Sequence, residues 1–199
     1  MPNCRKTRDM IGDTNAPGKK TLASTSPQSG FSLIELLIVL ALLGIFAAIA
    51  MPNFQRLIAS NRLESVTDEL ISQLQFARSE AVVTNRLVTV ENTSGQSQQW
   101  DLGLRIYTAG DFTANRTYNA STDTLVREHT GFNQPQVTAK GSSGATSWLS
   151  FRPNGTLAVT STQTIVVCED NDTTLARAIE LQASGRISKS STAPTTCSP

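Results

Sequence analysis

The sequence has a single histidine, His129, in a polar stretch with no cysteine or paired carboxylate near it. A zinc site draws on several nitrogen or sulfur ligands, and a histidine-activated nucleophile needs an oriented partner, so neither has material here. His129 reads as a solvated loop or strand-end residue. A glycine-rich phosphate loop and a paired-acid motif are both missing, and with them the usual signs of an enzyme or of a bound cofactor. Clustered oxygen ligands occur at Glu169-Asp170-Asn171-Asp172, but the further spaced ligands of a calcium loop do not follow. Aspartate and asparagine favour tight turns for local hydrogen-bonding reasons, and the run is read as a turn. Charge is scarce too, at 17% of the 199 residues. No internal repeat is evident.

What the chain does have is one long apolar run, Phe31 to Ala50, reading FSLIELLIVLALLGIFAAIA. It matches the roughly 20 apolar residues that cross a bilayer core as a helix. An ordinary secretory signal has an apolar stretch of about 7 to 15 residues and is cut after it, beside small residues. Here the small residue, Gly30, comes first. The segment ahead of it is hydrophilic, contains Pro17, Gly18 and Pro27, and carries Arg5, Lys6, Arg8, Lys19 and Lys20 against Asp9 and Asp13. With that excess of positive charge the segment reads as a flexible tail expected to stay on the cytoplasmic side.

Glu35 interrupts the apolar run, and a carboxylate at depth in a membrane costs on the order of 3 kcal/mol on insertion scales. A cut between Gly30 and Phe31 would create an α-amino group one helical turn away, on the same chain or on a neighbour, able to neutralise it. The segment Gly30-Phe31-Ser32-Leu33-Ile34-Glu35 resembles the class III signal of type IV pilins and type II secretion pseudopilins. The resemblance implies that a prepilin peptidase cuts after Gly30 and methylates Phe31, and that Glu35 pairs with the terminal amine of an adjacent subunit during assembly. Loss of residues 1–30 would take Lys plus Arg from 17 to 12 and Asp plus Glu from 16 to 14, leaving a net charge of −2. Such a chain lacks the broad cationic footprint of a general nucleic-acid binder, although a local patch stays open.

Of the three cysteines, Cys4 lies in the segment expected to be removed, which leaves Cys168 and Cys197. An even pair beyond a membrane segment suits an oxidising compartment, so a disulfide between them is expected, the alternative being two unpaired thiols.

Past Pro52, the residues Phe54, Leu57, Ile58, Leu63, Val66, Leu70, Leu74, Ala77 and Ala81 recur in steps that define one helical face. The helix is therefore expected to continue to about Asn85, with residues 31–51 in the membrane and 52–86 lying on a soluble domain. Pro52 is expected to kink or locally melt the junction. Pro52-Asn53-Phe54, Asn61-Arg62-Leu63, Ala77-Arg78-Ser79-Glu80-Ala81 and Val88-Thr89-Val90 together resemble the GspH/FimT group within the pilin superfamily, nearer to its FimT- and FimU-like minor pilins.

From Leu87 the periodicity shortens toward two, in Leu87–Val90, Trp100–Tyr107, Ser147–Arg152, Thr156–Val159, Thr164–Cys168 and Ala176–Gln182. Pro153-Asn154-Gly155 reads as a tight hairpin between two of these runs, and Ser184-Gly185 turns the last of them into Arg186–Lys189. The fold class is α+β and pilin-like: a long N-terminal helix packed on an antiparallel sheet over residues 87–199. The stretch Ala109–Gly144, rich in Gly, Asn, Ser and Thr, is expected to form long surface loops.

The resemblance implies a structural role as a minor pilin that initiates or caps a type IV pilus, or alternatively as a GspH-like minor pseudopilin of a type II secretion system. Its implied partners are the prepilin peptidase, other pilins or pseudopilins, an inner-membrane assembly platform, and membrane lipid before assembly. The implied location is the bacterial inner membrane, with the N-terminus cytoplasmic and the outer domain periplasmic, and then the filament. A further alternative is a DNA receptor at a pilus tip. DNA-receptor minor pilins carry a Gly-Arg-x-Arg motif near the C-terminus, which Gly185-Arg186-Ile187-Ser188-Lys189 follows until Ser188 replaces the second arginine. Arg186 and Lys189 are the candidate phosphate contacts, although Lys189 falls on the opposite face of a strand.

Overall fold

The computed structural model describes residues 30–95, 98–110, 117–145 and 147–199. Apart from Gly30, the leader expected over 1–30, with Cys4, lies outside the described residues. Among those described, the residues up to Gly44 form one compact unit and those from Ile45 onward another.

Helix α1 runs from Leu33 to Thr84, close to the expected limits. Leucine, alanine and isoleucine dominate its first half, and no glycine other than Gly44 interrupts it. Its end is built by Asn85, which adopts a left-handed φ of 52°, and by Arg86 N donating to Ala81 O at 3.3 Å. That closure satisfies one of the last carbonyls that a helix leaves unpaired. Pro52 lies inside α1 and the helix is unbroken there, which corrects the expectation of local melting. Proline removes one backbone donor, and Asn53 Nδ2 adds a bond to Ile49 O at 3.3 Å in the same turn.

Among the described residues of the second unit, eight strands follow the helix: β1 (Val88–Asn92), β2 (Leu104–Thr108), β3 (Thr124–His129), β4 (Val137–Gly141), β5 (Trp148–Phe151), β6 (Gln163–Glu169), β7 (Asp172–Leu181) and β8 (Ile187–Lys189). They form two four-stranded sheets, ordered β3-β2-β1-β5 and β4-β6-β7-β8, and every pairing is antiparallel. The expected single sheet is thus two. Residues Leu63, Val66, Leu70, Leu74, Ala77 and Ala81 of α1 bury against Val90 and Ile106 of the first sheet and Ile165, Val167 and Ile179 of the second, in one cluster. The α+β class holds, and the helical face read from the steps of three and four is the buried one.

Several local readings need correction, among them the run Trp100–Tyr107, which is strand only from Leu104 onward. The stretch Ala109–Gly144 contains β3 and β4 as well as loops. The run Thr156–Val159 is not a strand: Leu157 makes one isolated bridge to Phe151, Ala158 N donates to Ser150 O, and the Arg152 guanidinium donates to the carbonyls of Leu157 and Ala158. Strand β7 also starts four residues earlier than expected, at Asp172.

The turns follow the sequence more closely. At the β6–β7 turn, Asp170 and Asn171 have φ of 48° and 59° between the paired Glu169 and Asp172, as a two-residue hairpin loop of the primed type requires. The loops at Pro153-Asn154-Gly155 and Ala183-Ser184-Gly185 share one pattern. Gly155 N donates to Arg152 O and Arg152 N to Thr156 O, while Gly185 N donates to Gln182 O and Gln182 N to Arg186 O. Both glycines have positive φ, 76° and 81°, where glycine alone is unstrained. The loops pack against each other so closely that a Cβ on Gly185 would lie 1.8 Å from Gly155 O.

Candidate assembly surfaces

Gly30 and Phe31 precede the helix, and Leu36 N donates to Ser32 O at 3.1 Å to close its first turn. Glu35 sits in that turn, where unpaired backbone N–H groups give the helix end a partial positive charge that favours a carboxylate. Phe31 is 83% exposed, and every large apolar side chain from Leu33 to Ile58 is exposed as well. Burying one such side chain is worth about 1.5–3 kcal/mol, so a row of them demands lipid or neighbouring helices. A helix meets that demand without leaving backbone groups unpaired, and α1 is long and apolar enough to cross a membrane.

Beyond Ile58 the helix is fastened to the sheets by charge as well as by apolar contact. Arg62 Nη1 lies 2.7 Å from Glu169 Oε1. Burial pushes the Glu169 carboxyl above its ordinary range, with Arg62 opposing, and Glu169 Oε2 is buried without a hydrogen-bond partner. Two residues further along α1, Glu64 meets Arg177 at 3.4 Å and also Lys189. Lys189 Nζ is 2.7 Å from Asp68 Oδ1, and its bonds to Asp68 and Glu64 raise its pKa.

Lys189 is therefore held inward against α1. Arg186 is exposed and borders an open groove with Arg78, Val82, Val83 and Ile187. The structure does not bring Arg186 and Lys189 together as a phosphate-facing pair. On β8, Ser188 is paired with Glu180 and Lys189 with Ile179, and this alternation turns the two side chains to opposite faces.

Cys168, on β6, and Cys197, in the C-terminal tail, are joined as a disulfide with Cα atoms 5.8 Å apart. With Val166, Ala176 and Ala178 they form a small cluster of their own, so the tail is tied to a core strand as expected. His129 ends β3; its Nε2 is 2.7 Å from Glu69 Oε1, while Gly131 N donates to Nδ1. Those contacts fix Nε2 as the protonated nitrogen of the neutral ring. Among the described residues no group of three or more His, Cys, Asp or Glu could hold a metal ion.

Two constellations escaped the sequence reading. Glu91 is buried on β1 and accepts from Arg105 Nη1 and from Tyr118 N, both at 3.1 Å; burial raises its pKa. Asp123 accepts from Gly110 N and Asn119 N, and together the two carboxylates fasten residues 117–123 to the first sheet. The second is the groove at the end of α1. Its sequence signal is the pair Val82-Val83, which falls off the apolar face carried by Ala77 and Ala81.

Residues 66–185 match the family described as Type II transport protein GspH, and residues 25–51 match the prokaryotic N-terminal methylation motif. The crystal structure of the type IV minor pilin FimU of Pseudomonas aeruginosa is similar with a TM-score of 0.57 and 33% identity, covering 69% of this chain and 96% of that one. A second crystal form of FimU gives 0.56 and 32%. A fimbrial protein of P. aeruginosa is 37% identical over 77 residues, 39% of this chain and 49% of that protein. The type IV major fimbrial protein FimA of Dichelobacter nodosus is 52% identical over 44 residues, 22% and 28% respectively. The chain thus spans about half the length of the former and about a quarter of the latter.

Proposed function

Because this chain belongs to the GspH family of pilin-like proteins and carries the N-terminal methylation motif, we propose that it is a minor pilin, a structural subunit that helps to initiate or cap a type IV pilus. The observation that carries this reading is the likeness to the crystallised chain of FimU over 96% of its length, joined to a helix whose apolar first half is exposed throughout. Subunits of this build associate through those helices. In this reading prepilin peptidase cuts after Gly30 and methylates Phe31, lipid covers residues 31–51 until assembly, and the inner-membrane platform delivers the subunit to the filament. The N-terminus is then cytoplasmic before the cut, and residues 87–199 are periplasmic. Glu35 is held for the terminal amine of a neighbour, since an unpaired carboxylate in the apolar layer is costly.

A pseudopilin of a type II secretion system is the second reading, favoured by the description of the matching family itself. DNA reception has less support, because Lys189 is engaged by Glu64 and Asp68. The deciding experiment is deletion and complementation in the source bacterium, scored for surface pili and for secreted protein, with intact-mass analysis of the chain in sheared filaments. Lost pili, normal secretion and a mass lacking residues 1–30 with one added methyl are expected. Lost secretion with normal pili would transfer the chain to the secretion system, and an uncut chain in an active peptidase strain would remove both readings.

A further inference from the structure

Arg78, Val82 and Val83, at the C-terminal end of α1, face Arg186 and Ile187 across an open groove of about 570 Å³. On the packed part of the helix, from Leu63 onward, the large apolar residues are buried or partly buried except at this point. Val82 is 51% exposed and Val83 81%. Arg78 Nε donates to Gly155 O at 2.9 Å, which fixes one edge of its guanidinium and leaves the other toward the groove. Arg186 is exposed and has no side-chain partner among the described residues. The site is thus two arginines interleaved with valines and isoleucine, next to the closely packed glycine loops.

We propose that this groove docks a neighbouring pilin-fold subunit through an exposed acidic turn with apolar residues beside it. The proposal rests on the minor-pilin reading and adds the surface and the chemistry of the contact. Arginine forks pair bidentately with carboxylates, and exposed valines gain only from a partner that covers them. An exposed acidic turn exists at the other end of this domain, at Asp170-Asn171-Asp172, beside the Arg62–Glu169 pair. Arg78 follows Arg62 by sixteen positions along α1, about 24 Å along a helix. A contact between one end of a subunit and the opposite end of the next is heterologous and generates an open helical array. Nucleic acid fits less well: two arginines give a shallow electrostatic footprint, and the valines would meet phosphate and sugar.

The test uses the full-length chain in a piliated strain, with a photo-crosslinking amino acid in place of Val83 and the adduct identified by mass spectrometry. An adduct to a chain carrying an N-terminal methylation motif, linked at a peptide containing Asp or Glu, is expected. Its yield should fall about tenfold in Arg186→Glu, as for loss of a close charge pair, and further in Arg78→Glu with Arg186→Glu. Since Arg78 also braces Gly155, Arg186→Glu with an unchanged melting temperature is the decisive variant. An adduct to nucleic acid, an adduct unaffected by Arg186→Glu, or none to any pilin-type chain while the subunit is still found in sheared filaments would each overturn the docking site and leave the minor-pilin reading intact. Absence of the wild-type chain from filaments would instead overturn the minor-pilin reading, and the docking site with it.

Discussion

The two halves of α1 both carry leucines and expose them differently. Leu36, Leu37 and Leu40 are each more than half exposed, whereas Leu63, Leu70 and Leu74 are 0% exposed. Leucine burial contributes the same free energy in either place; what differs is who supplies the covering surface. For Leu63, Leu70 and Leu74 it is the chain's own sheets, so their contribution appears as folding stability. The first half has no such cover, so its contribution becomes available only in lipid or among other helices. One helix thus carries folding in one half and association in the other, and substitutions should sort by half.

The largest effect is expected at Glu35. Glu35→Val should leave membrane insertion and domain folding unchanged and nearly abolish entry into filaments, measured by immunoblot of sheared pili against whole cells. Normal entry would remove the pairing role, and a block in cleavage would move the role of Glu35 to peptidase recognition.

Leu70→Ala and Leu40→Ala compare the halves directly. The first opens a cavity in a closed core and should cost about 2–5 kcal/mol, while the second should change unfolding of the detergent-solubilised chain by less than about 0.5 kcal/mol. Urea unfolding followed by tryptophan fluorescence reads both, since Trp100 is fully buried. Equal losses would mean that the first half is packed after all.

Removing the disulfide tests how much of the outer region's stability is independent of α1. The bridge spans a separation of 29 residues, and chain entropy assigns about 3–4 kcal/mol to a loop of that size, an amount that engineered cases often fail to reach. The Cys168→Ser, Cys197→Ser double variant should show a lower urea midpoint at neutral pH with the helical circular dichroism retained at low denaturant. An unchanged midpoint would show that the tail contributes nothing.

The smallest effect concerns Glu169. Its folded pKa is raised from an ordinary value of 4.5 because burial outweighs the attraction of Arg62. A carboxyl raised in this way makes the folded state hold its proton longer than the unfolded state does. The stability it gives is complete below the unfolded pKa and is lost as pH rises through the folded one. Through and above the ordinary carboxylate range, Glu169→Gln should therefore flatten the downward slope of stability with rising pH. Parallel slopes in the two proteins would show that Glu169 does not titrate in that range.

The N-terminal features were legible because their chemistry is local: Gly30 before an apolar run, and one carboxylate inside it, need no tertiary context to be read. The helical face from Leu63 to Ala81 was legible through its period. The missed strands are of another kind. Strand β3 lies at a sheet edge with mostly exposed residues, so Thr124–His129 shows no apolar alternation. Strand β4 alternates buried and half-buried positions, but its buried residues include Ala139 and Gly141, too small to register as hydrophobic. Gly141 has to be small, since a Cβ there would lie 1.9 Å from Ala145 O and 2.7 Å from Trp100 Nε1, the two atoms joined by the indole hydrogen bond. That demand comes from a residue 41 positions earlier. Conversely, Thr156–Val159 has the period of a strand and lies along the edge of β5, but only the Leu157–Phe151 bridge forms. The assembly groove was hidden for the same reason: Arg78 and Arg186 become neighbours only when Gly155 and Gly185 pack together.

The bond between Cys168 and Cys197 turns the last part of the chain into a covalent ring that contains β7 and β8. A protease that nicks the exposed Ser184 turn, or the tail just after Lys189, opens the ring without freeing a fragment. Cut and intact protein then migrate alike on a non-reducing gel and separate only after reduction. A subunit wounded in this way outside the cell stays one covalent molecule and can keep its place in a filament until a reductant reaches it.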